Sequence, residues 1–502
     1  MIRLLIFIFL FCIKIEAQIK YDYIWLFGGN LQPTSDTLFH GFEINFNKKP
    51  RQIYIKDRKQ ILTQNNASIA DRNGNLLMYT AGCNVLDRLF RPMPNGKING
   101  GFVWDFICKD GDYKIFNGSL FLPSPLDDKK YFLFHKYYEF DSDPSFPGGA
   151  VNKLLYSKID VNLNNGYGDV IEKNTVAIQK FLSAGDLTAT KHYNNQDWWI
   201  VVPGRANDFY YSLLFNNVEV KEIVETQIGL SMNYLGDGGS QSCFSPDGTK
   251  FGRMTPSDGL FIMNFDRSTG KFSNFINIRT AKENNEYSVG VAFSPNSRFI
   301  YITTQVDLFQ IDTWASDIPS SLTLIDTWDG YVDEQIWAAQ FGQMMLAPDC
   351  KIYMITRTSN RVMHVIHSPN EKGKACNFEQ HGIHLPAWNH ASIPNFVNYR
   401  LGYEPVCDST MTMTWNPFPS EEAVVCYPNP VQDKIFVELL NRDKLIKSIS
   451  VLDMTGKLIS HQMYQCINFK ELLDLGNLEA GIYLIKVRDK VGIEIIEKVI
   501  KK

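Results

Sequence analysis

The octapeptide FSPDGTKF, from Phe244 to Phe251, decides the fold, because weaker copies of it recur along the chain. It returns as FSPNSRFIY from Phe293 and as LAPDCKIYMI from Leu346. In each copy an apolar residue enters a Pro-Asp or Pro-Asn turn, where Pro fixes φ and the Asx side chain can bond its own backbone. A strand rich in aromatic and β-branched residues follows. Looser versions are ADRNGNLLMYT from Ala70, PLDDKKYFLF from Pro125 and YNNQDWWIVV from Tyr193.

With Gly74, Asp128, Gln196, Gly248, Ser297 and Cys350 as turn markers, the spacings are 54, 68, 52, 49 and 53 residues. A period of about 50 residues is that of a propeller blade, a four-stranded sheet that must pack against its neighbours. The chain is therefore expected to be all-β, with a β-propeller over residues 19–402. Six markers, plus a strand at Tyr21–Phe27 that closes the ring against the last blade, predict about seven blades; six and eight fit the same spacing. The competing architecture is a β-sandwich with evenly spaced hairpins.

Composition narrows the partners. A net charge of -4, with 50 basic and 54 acidic residues intermixed, supplies no stripe for nucleic acid and no polybasic membrane anchor. Aromatic residues make up 13% and concentrate in the strand segments, where blades pack. The first 17 residues, MIRLLIFIFLFCIKIEA, have a basic start, a short apolar run and a terminal Ala, which predicts a signal peptide rather than a membrane span. No transmembrane segment is expected in the mature chain. Export favours disulfides. Cys83 follows the strand segment LLMYTAG and Cys108 closes NGGFVWDFIC, so these two are expected to pair. A second pair is expected between Cys350 and Cys376, one hairpin apart. Cys243, Cys407, Cys426 and Cys466 have no assignable partner.

The repeat stops after Tyr403, and Pro, Ser, Thr and Met dominate up to Cys426, which predicts a linker over 403–425. Residues 426–502 then read as a small Ig-like β-sandwich. In CYPNPVQDKIFVELL two prolines lead into a strand with Ile435, Val437 and Leu439 on one face. Asp453 to Gly456 makes a hairpin turn, and Gly481 precedes a strand carrying Tyr483, Ile485 and Val487 on one face.

The ordered set YPNPVQDK, VLDMTGK, LGNLEAGIYLIKV and a basic strand-like terminus resembles the C-terminal sorting domain, type A, of cargo for the type IX secretion system of Bacteroidetes. Pro428, Asn429, Pro430, Asp453, Gly456, Lys457, Gly481 and Tyr483 carry the resemblance. It implies two-step export, with the secretion machinery as partner of this domain and a body that is secreted or held at the outer cell surface. The phrases NGKINGG at Asn95, DVNLNNGYGDV at Asp160 and HVIHSPNEKGKACNF at His364, with Ile393–Phe396, resemble the WD-repeat-like propeller ectodomains that accompany such signals. They imply fold and location and supply no activity.

No hydrolase elbow, zinc-protease helix, P-loop, dinucleotide fingerprint or calcium loop is present, so no catalytic residue, cofactor or metal is assigned. DRNGN at Asp71 reads as a plain turn. Five of the nine histidines, His364, His367, His381, His384 and His390, fall in the last blade, but their spacing suits neither a helix face nor a strand face, and no carboxylate or cysteine completes a ligand set. Lys136, Arg205, Arg253 and Arg357, with Gln305 at the matching place, come just past the strand of successive units. If the blades superpose, they form a basic collar on one rim for an anionic glycan or acidic partner. The sequence thus predicts an exported propeller that binds a surface glycan or protein. The alternatives are a glycan-directed enzyme with scattered acid and base, and a structural part of a surface or motility assembly.

Overall fold

The computed structural model describes residues 19–29, 36–58, 60–108, 113–140, 149–216, 218–232, 238–280, 289–333, 337–401, 424–439, 445–453, 456–464, 468–490 and 494–502. The signal peptide expected over 1–17 and most of the linker expected over 403–425 lie outside these residues.

Each turn marker sits in the hairpin joining the first two strands of a four-stranded sheet. Blade 2 begins with Ala67–Ala70 and Leu76–Thr80, blade 3 with Ser119–Pro123 and Lys130–Glu139, and blade 4 with Thr188–Lys191 and Trp198–Pro203. Blade 5 begins with Gln241–Phe244 and Lys250–Thr255, blade 6 with Gly290–Phe293 and Phe299–Thr303, and blade 7 with Phe341–Leu346 and Ile352–Thr356. The physical cause is the same throughout. An Asx carboxylate or amide oxygen accepts a main-chain N–H two residues on: Asp71 from Asn73 at 2.8 Å, Asn194 from Gln196 at 3.0 Å, Asp247 from Thr249 at 3.0 Å and Asn296 from Arg298 at 3.1 Å. Gly74, Gly248, Ser297 and Cys350 then take left-handed φ values of 87°, 71°, 64° and 70°.

The strand expected to close the ring against blade 7 instead opens a blade of its own. Ile24–Gly28 pairs with Gly41–Asn45, which pairs with Gln52–Lys56, giving a three-stranded blade 1. Trp25 packs edge-on against Tyr353 of blade 7, ring centroids 5.7 Å apart, and this contact joins the two ends of the ring. Seven successive blade sheets result among the described residues. A two-stranded ribbon, Val332–Asp333 with Trp337–Ala338, lies between blades 6 and 7.

Beyond the last strand of blade 7, residues 391–400 enter the axis of the ring, where Ile393, Asn395, Phe396, Val397, Tyr399 and Arg400 are buried. The inner strand of a propeller blade is a sheet edge, so its outward main-chain groups lack ladder partners. The axial segment supplies them. Asn395 N–H donates to the Asn66 carbonyl at 2.8 Å, and its side-chain amide donates to the Ser119 and Leu187 carbonyls at 3.0 and 2.9 Å. The Tyr399 hydroxyl donates to Phe121 O at 2.9 Å and Asn398 Nδ2 to Pro246 O at 2.8 Å. Arg400 ends the segment in a buried two-pronged ion pair with Asp22, at 2.7 and 2.8 Å. On the other side of the axis Gln241 plays the same part: its amide accepts from Val291 N–H and Met344 N–H, each at 3.0 Å, and donates to Met344 O at 2.7 Å. Blades 2 to 7 are thereby bonded from within.

The C-terminal residues form a sandwich. One sheet holds Val424–Tyr427, Lys434–Leu439 and Lys470–Asp474; the other runs Leu458–Met463, Ile446–Asp453, Gly481–Asp489, Glu494–Lys501. Ile435, Val437, Leu439, Ile449, Val451, Ile485 and Val487 fill the space between them.

Cys83 and Cys108 are disulfide-bonded, 25 residues apart, as their flanking segments predict. The second expected pair is corrected. Cys376 is a buried free thiol, whereas Cys350 is bonded to a cysteine other than Cys376. Cys350 lies in the turn between the first two strands of blade 7, and Cys376 lies just before the fourth strand. Two strand spacings, roughly 10 Å, separate such positions, beyond the reach of about 7 Å between Cα atoms that a disulfide allows.

Replacing Asn395 by Leu should leave two buried carbonyls without donors and lower the unfolding free energy by about 3 kcal/mol, read as a shifted urea midpoint. Acid should destabilise the ring as well. Burial holds His135 and His364 neutral and pushes each imidazole down to about 3. With folded values below the unfolded one, their stabilisation is full above about pH 6.5 and is lost as pH falls towards 3. Urea unfolding at pH 5 should therefore give a free energy on the order of 2–4 kcal/mol below that at pH 7, and His135→Asn should reduce the difference.

Candidate functional site

Two regions qualify: the motif cluster of the C-terminal sandwich, and the face of the ring on which the inner strands begin, called the upper face below.

In the sandwich the Pro-Asn-Pro motif works through its asparagine. Asn429 Oδ1 accepts from Ile500 N–H and Asn429 Nδ2 donates to Lys498 O, both at 2.8 Å. Val431 continues the contact, donating to Ile500 O and accepting from Lys502 N–H, each at 2.8 Å. Asn429 stands between two prolines, each preceded by a cis peptide. The motif thus fastens the first residues of the domain along its terminal strand. Asp453 accepts from Lys457 N–H at 3.0 Å through Oδ1, while Gly456 takes a φ of 83°, so that pair encodes a hairpin turn. Tyr483 is tied by its hydroxyl to Glu479 O at 2.9 Å. Behind the motif, Tyr427 donates to the Glu438 carboxylate, and Lys470 lies 4.9 Å over its ring. Tyr427 also packs against His192 and Tyr193 of blade 4, and the Tyr193 hydroxyl donates to Asn429 O at 2.9 Å.

On the upper face the expected basic collar does not form. Lys136, Gln305 and Arg357 follow the residue that pairs with the start of the inner strand, whereas Arg253 lies inside its own second strand, opposite Ser242, and all four side chains are taken up within the ring. Lys136 and Arg253 are both 0% exposed. Lys136 donates to the Ser183 carbonyl at 2.7 Å and to that of Gly185. Arg253 meets the Asp186 carboxylate at 2.8 Å, where Ser183 and Ser240 hydroxyls also donate at 2.9 and 2.7 Å. Half-buried Arg205 donates to Gly149 O at 3.1 Å, and Arg357 Nη2 lies 2.9 Å from the Gln305 amide oriented to accept. These cations brace loops between blades, where desolvation leaves them worth more as structural ties than as ligands.

Sequence reasoning missed the feature that is exposed on this face. The middle hairpin of blade 3 overshoots the ring: Ser119, the first residue of the inner strand, pairs with His135, and the second strand runs on to Glu139. Beside it stands the segment 98–108, braced by the Cys83–Cys108 disulfide. Phe102 stacks between Phe106 and Phe140, with centroids 4.8 and 5.8 Å away, and the outer rings are 64% and 60% exposed. Trp104 is held by a 2.7 Å bond to Ile98 O and covered by Lys97. The signal was there in NGGFVWDFIC, whose aromatic residues match no strand alternation.

Of the blade 7 histidines, His364 and His381 meet, with ring centroids 5.6 Å apart and the His381 main-chain N–H donating to His364 Nδ1 at 3.2 Å, but they do not gather a ligand set. His364 is buried edge-on against Phe341, His367 bonds Glu379 at 2.7 Å, and His381 lies 3.2 Å from Asp329. Among the described residues no three His, Cys, Asp or Glu side chains gather as a metal site.

The ring, its axial segment and the motif-locked sandwich define a β-propeller ectodomain joined to a C-terminal secretion signal. Residues 425–502 match the sequence model of the family described as "Secretion system C-terminal sorting domain". The chain is therefore cargo of the type IX secretion system, carried to the cell surface or secreted. No curated protein matches it. Among solved structures it is similar to the extracellular domain of BT4673 from B. thetaiotaomicron, at 10% identity and TM-score 0.37 over 97% of this chain. It covers 57% of the length of that domain. It is also similar to the β-propeller domain of Myceliophteria thermophila Cps50 (Swd1), at 8% identity, TM-score 0.38 and coverages of 68% and 92%. The Dos1 propeller gives 9%, 0.38, 68% and 90%. No helix among the described residues is long and apolar enough to cross a membrane.

Asn429→Ala removes both side-chain bonds to the terminal strand. It should lower the stability of the full chain's C-terminal unfolding step by about 2 kcal/mol and increase hydrogen exchange at Ile500, measured by mass spectrometry.

Proposed function

We propose that this protein is a non-catalytic binding propeller of the cell exterior, which takes a surface glycan on its upper face at the aromatic stack of Phe102, Phe106 and Phe140. The leader over 1–17 would carry it across the inner membrane, and the sorting domain would complete export. The observation that supports this reading is the filled axis. Ligands of propellers commonly need a concave site, and drug-sized pockets are about 300–1,000 Å³. Here the space left beside the axial segment is only about 70 Å³, lined by Thr190, Ser242, Met344 and Val397 among others. That volume suits a few waters, so a ligand must bind on a face.

On the upper face, rings held by stacking and by a disulfide-braced segment present apolar area that is ordered before binding, which reduces the entropy lost on association. The apolar faces of sugar rings fit such a surface, and the carboxylates of Asp105 and Glu139 stand in the flanking sequence to accept from hydroxyls.

The test is binding of the purified full chain to surface polysaccharide extracted from the native host, by calorimetry. The Phe106→Ser, Phe140→Ser double variant should weaken binding about 10- to 100-fold with an unchanged melting temperature. Undiminished affinity would remove the stack from the proposal, and binding only to a protein fraction would replace the glycan by a protein partner.

A further inference from the structure

The larger sheet of the sorting domain has two edges, and they are treated differently. At one, Glu494–Lys501 is covered by the Pro-Asn-Pro segment: Val431 bridges to Lys501, and Asn429 takes up the Ile500 N–H and the Lys498 carbonyl. At the other, Leu458–Met463 has, among the described residues, a single neighbouring strand, Ile446–Asp453, and all six of its residues are exposed.

The register says which main-chain groups that edge offers. Tyr464 N–H donates back to Lys447 O at 3.1 Å. Gln462 opposite Ile449 and Ser460 opposite Val451 follow at two-residue steps and carry the inward bonds. His461 and Met463 therefore turn their N–H and C=O groups out of the sheet. Natural proteins guard such an edge with Pro, inward charges or a covering loop, and Leu-Ile-Ser-His-Gln-Met contains no Pro, Asp, Glu, Lys or Arg. Its apolar side chains are open as well: Leu458 is 56% exposed and Met463 66%. Leu458 sits opposite Leu452, which in turn pairs with Leu484, so an apolar row runs inward from the edge.

We infer that the export machinery reads this domain by strand addition: an extended segment of its receptor, with apolar residues at alternate positions, pairs with Leu458–Met463 as a fifth strand. Main-chain groups in a row are matched in number and spacing by another strand, and the apolar row gives alternate side chains a place to pack. The inference rests on the sorting-domain assignment and adds the surface by which it acts. It also gives the Pro-Asn-Pro motif a part, since Asn429 and Val431 close the opposite edge of the same sheet.

The test is export of the full chain in the native host, as the fraction of protein outside the outer membrane. His461→Pro removes an outward N–H and keeps the ladder bonds of Ser460 and Gln462. It should reduce the exported fraction at least tenfold, with folded protein accumulating in the periplasm. Export at the unmodified level overturns the inference. Should the proline variant fail to unfold cooperatively, the double variant Ile459→Lys, Met463→Lys decides, since both positions are exposed: the same loss is expected, and normal export overturns it. A chain lacking 424–502 is the control. If that chain is still exported, the sorting assignment itself falls, whereas its retention beside normal export of His461→Pro removes only the edge. A dimer in sedimentation of the full chain that His461→Pro dissolves would assign the edge to a second copy and equally overturn the proposal.

Discussion

Hydrogen bonds to the inner edges of the blades are the constraint on which the rest of this structure depends. A ring of sheets hides its faces by packing blade on blade, but it leaves seven strand edges around the axis, each with carbonyls and N–H groups that no ladder can satisfy. In a narrow channel water can serve them. This chain uses amides instead. The side chains of Asn395 and Asn398 reach carbonyls of blades 3 to 5, the Asn395 main-chain N–H reaches blade 2, and Gln241 reaches blades 6 and 7. Amide side chains suit the task because one group can donate twice and accept twice. A buried carbonyl deprived of its donor costs about 1–3 kcal/mol, so these few residues decide whether the axis is a seam or a hole.

Filling the axis has two consequences. The last residues of the ring are tied to the first by the Arg400–Asp22 pair, so the two ends of the propeller are held together at its centre as well as by Trp25 and Tyr353 at its wall. Such a buried pair contributes little against an apolar replacement, yet breaking one partner is costly, and it therefore acts more as a specification of register than as a source of stability. The second consequence is functional. With the axis filled, the extended hairpin of blade 3 and its aromatic neighbours stand out as a departure from the repeat that lies on a face.

What the sequence made legible follows from the range of each interaction. The turn between the first two strands is set within five residues by an Asx side chain and a left-handed position, so Asp71–Asn75, Asp247–Lys250 and Asn296–Arg298 announce themselves, and with them the period of the ring. The Cys83–Cys108 pair was readable because Cys83 lies just before Asn84–Asp87 and Cys108 closes the short segment that follows the end of the same blade at Lys97. The Cys350–Cys376 pairing failed because strand order within a blade, which sets their separation, has no local mark. The collar failed for a related reason: Lys136 and Arg253 stand two residues apart in register, and the direction of their side chains is set by Ser183, Gly185 and Asp186, some 50 to 70 residues away. The axial segment was invisible as such, since Ile393–Arg400 has neither period and its bonds join it to residues as distant as Asn66 and Ser119.

The sorting domain shows the same physics turned to a different end. Its motif residues are conspicuous in sequence, and an obvious reading makes them the surface that a receptor touches. In the structure Asn429 is occupied on both sides of its amide, Asp453 and Gly456 are occupied in shaping a turn, and Tyr483 is bonded to its own chain. The bonds that these side chains make inside the domain fix its turns and its closed edge. The motif therefore specifies the shape of the signal, namely a two-sheet sandwich with one edge shut. The ring bonds its inner edges shut from the axis, the motif bonds one outer edge shut from the linker side, and the edge that neither covers is left with its main-chain groups facing outward.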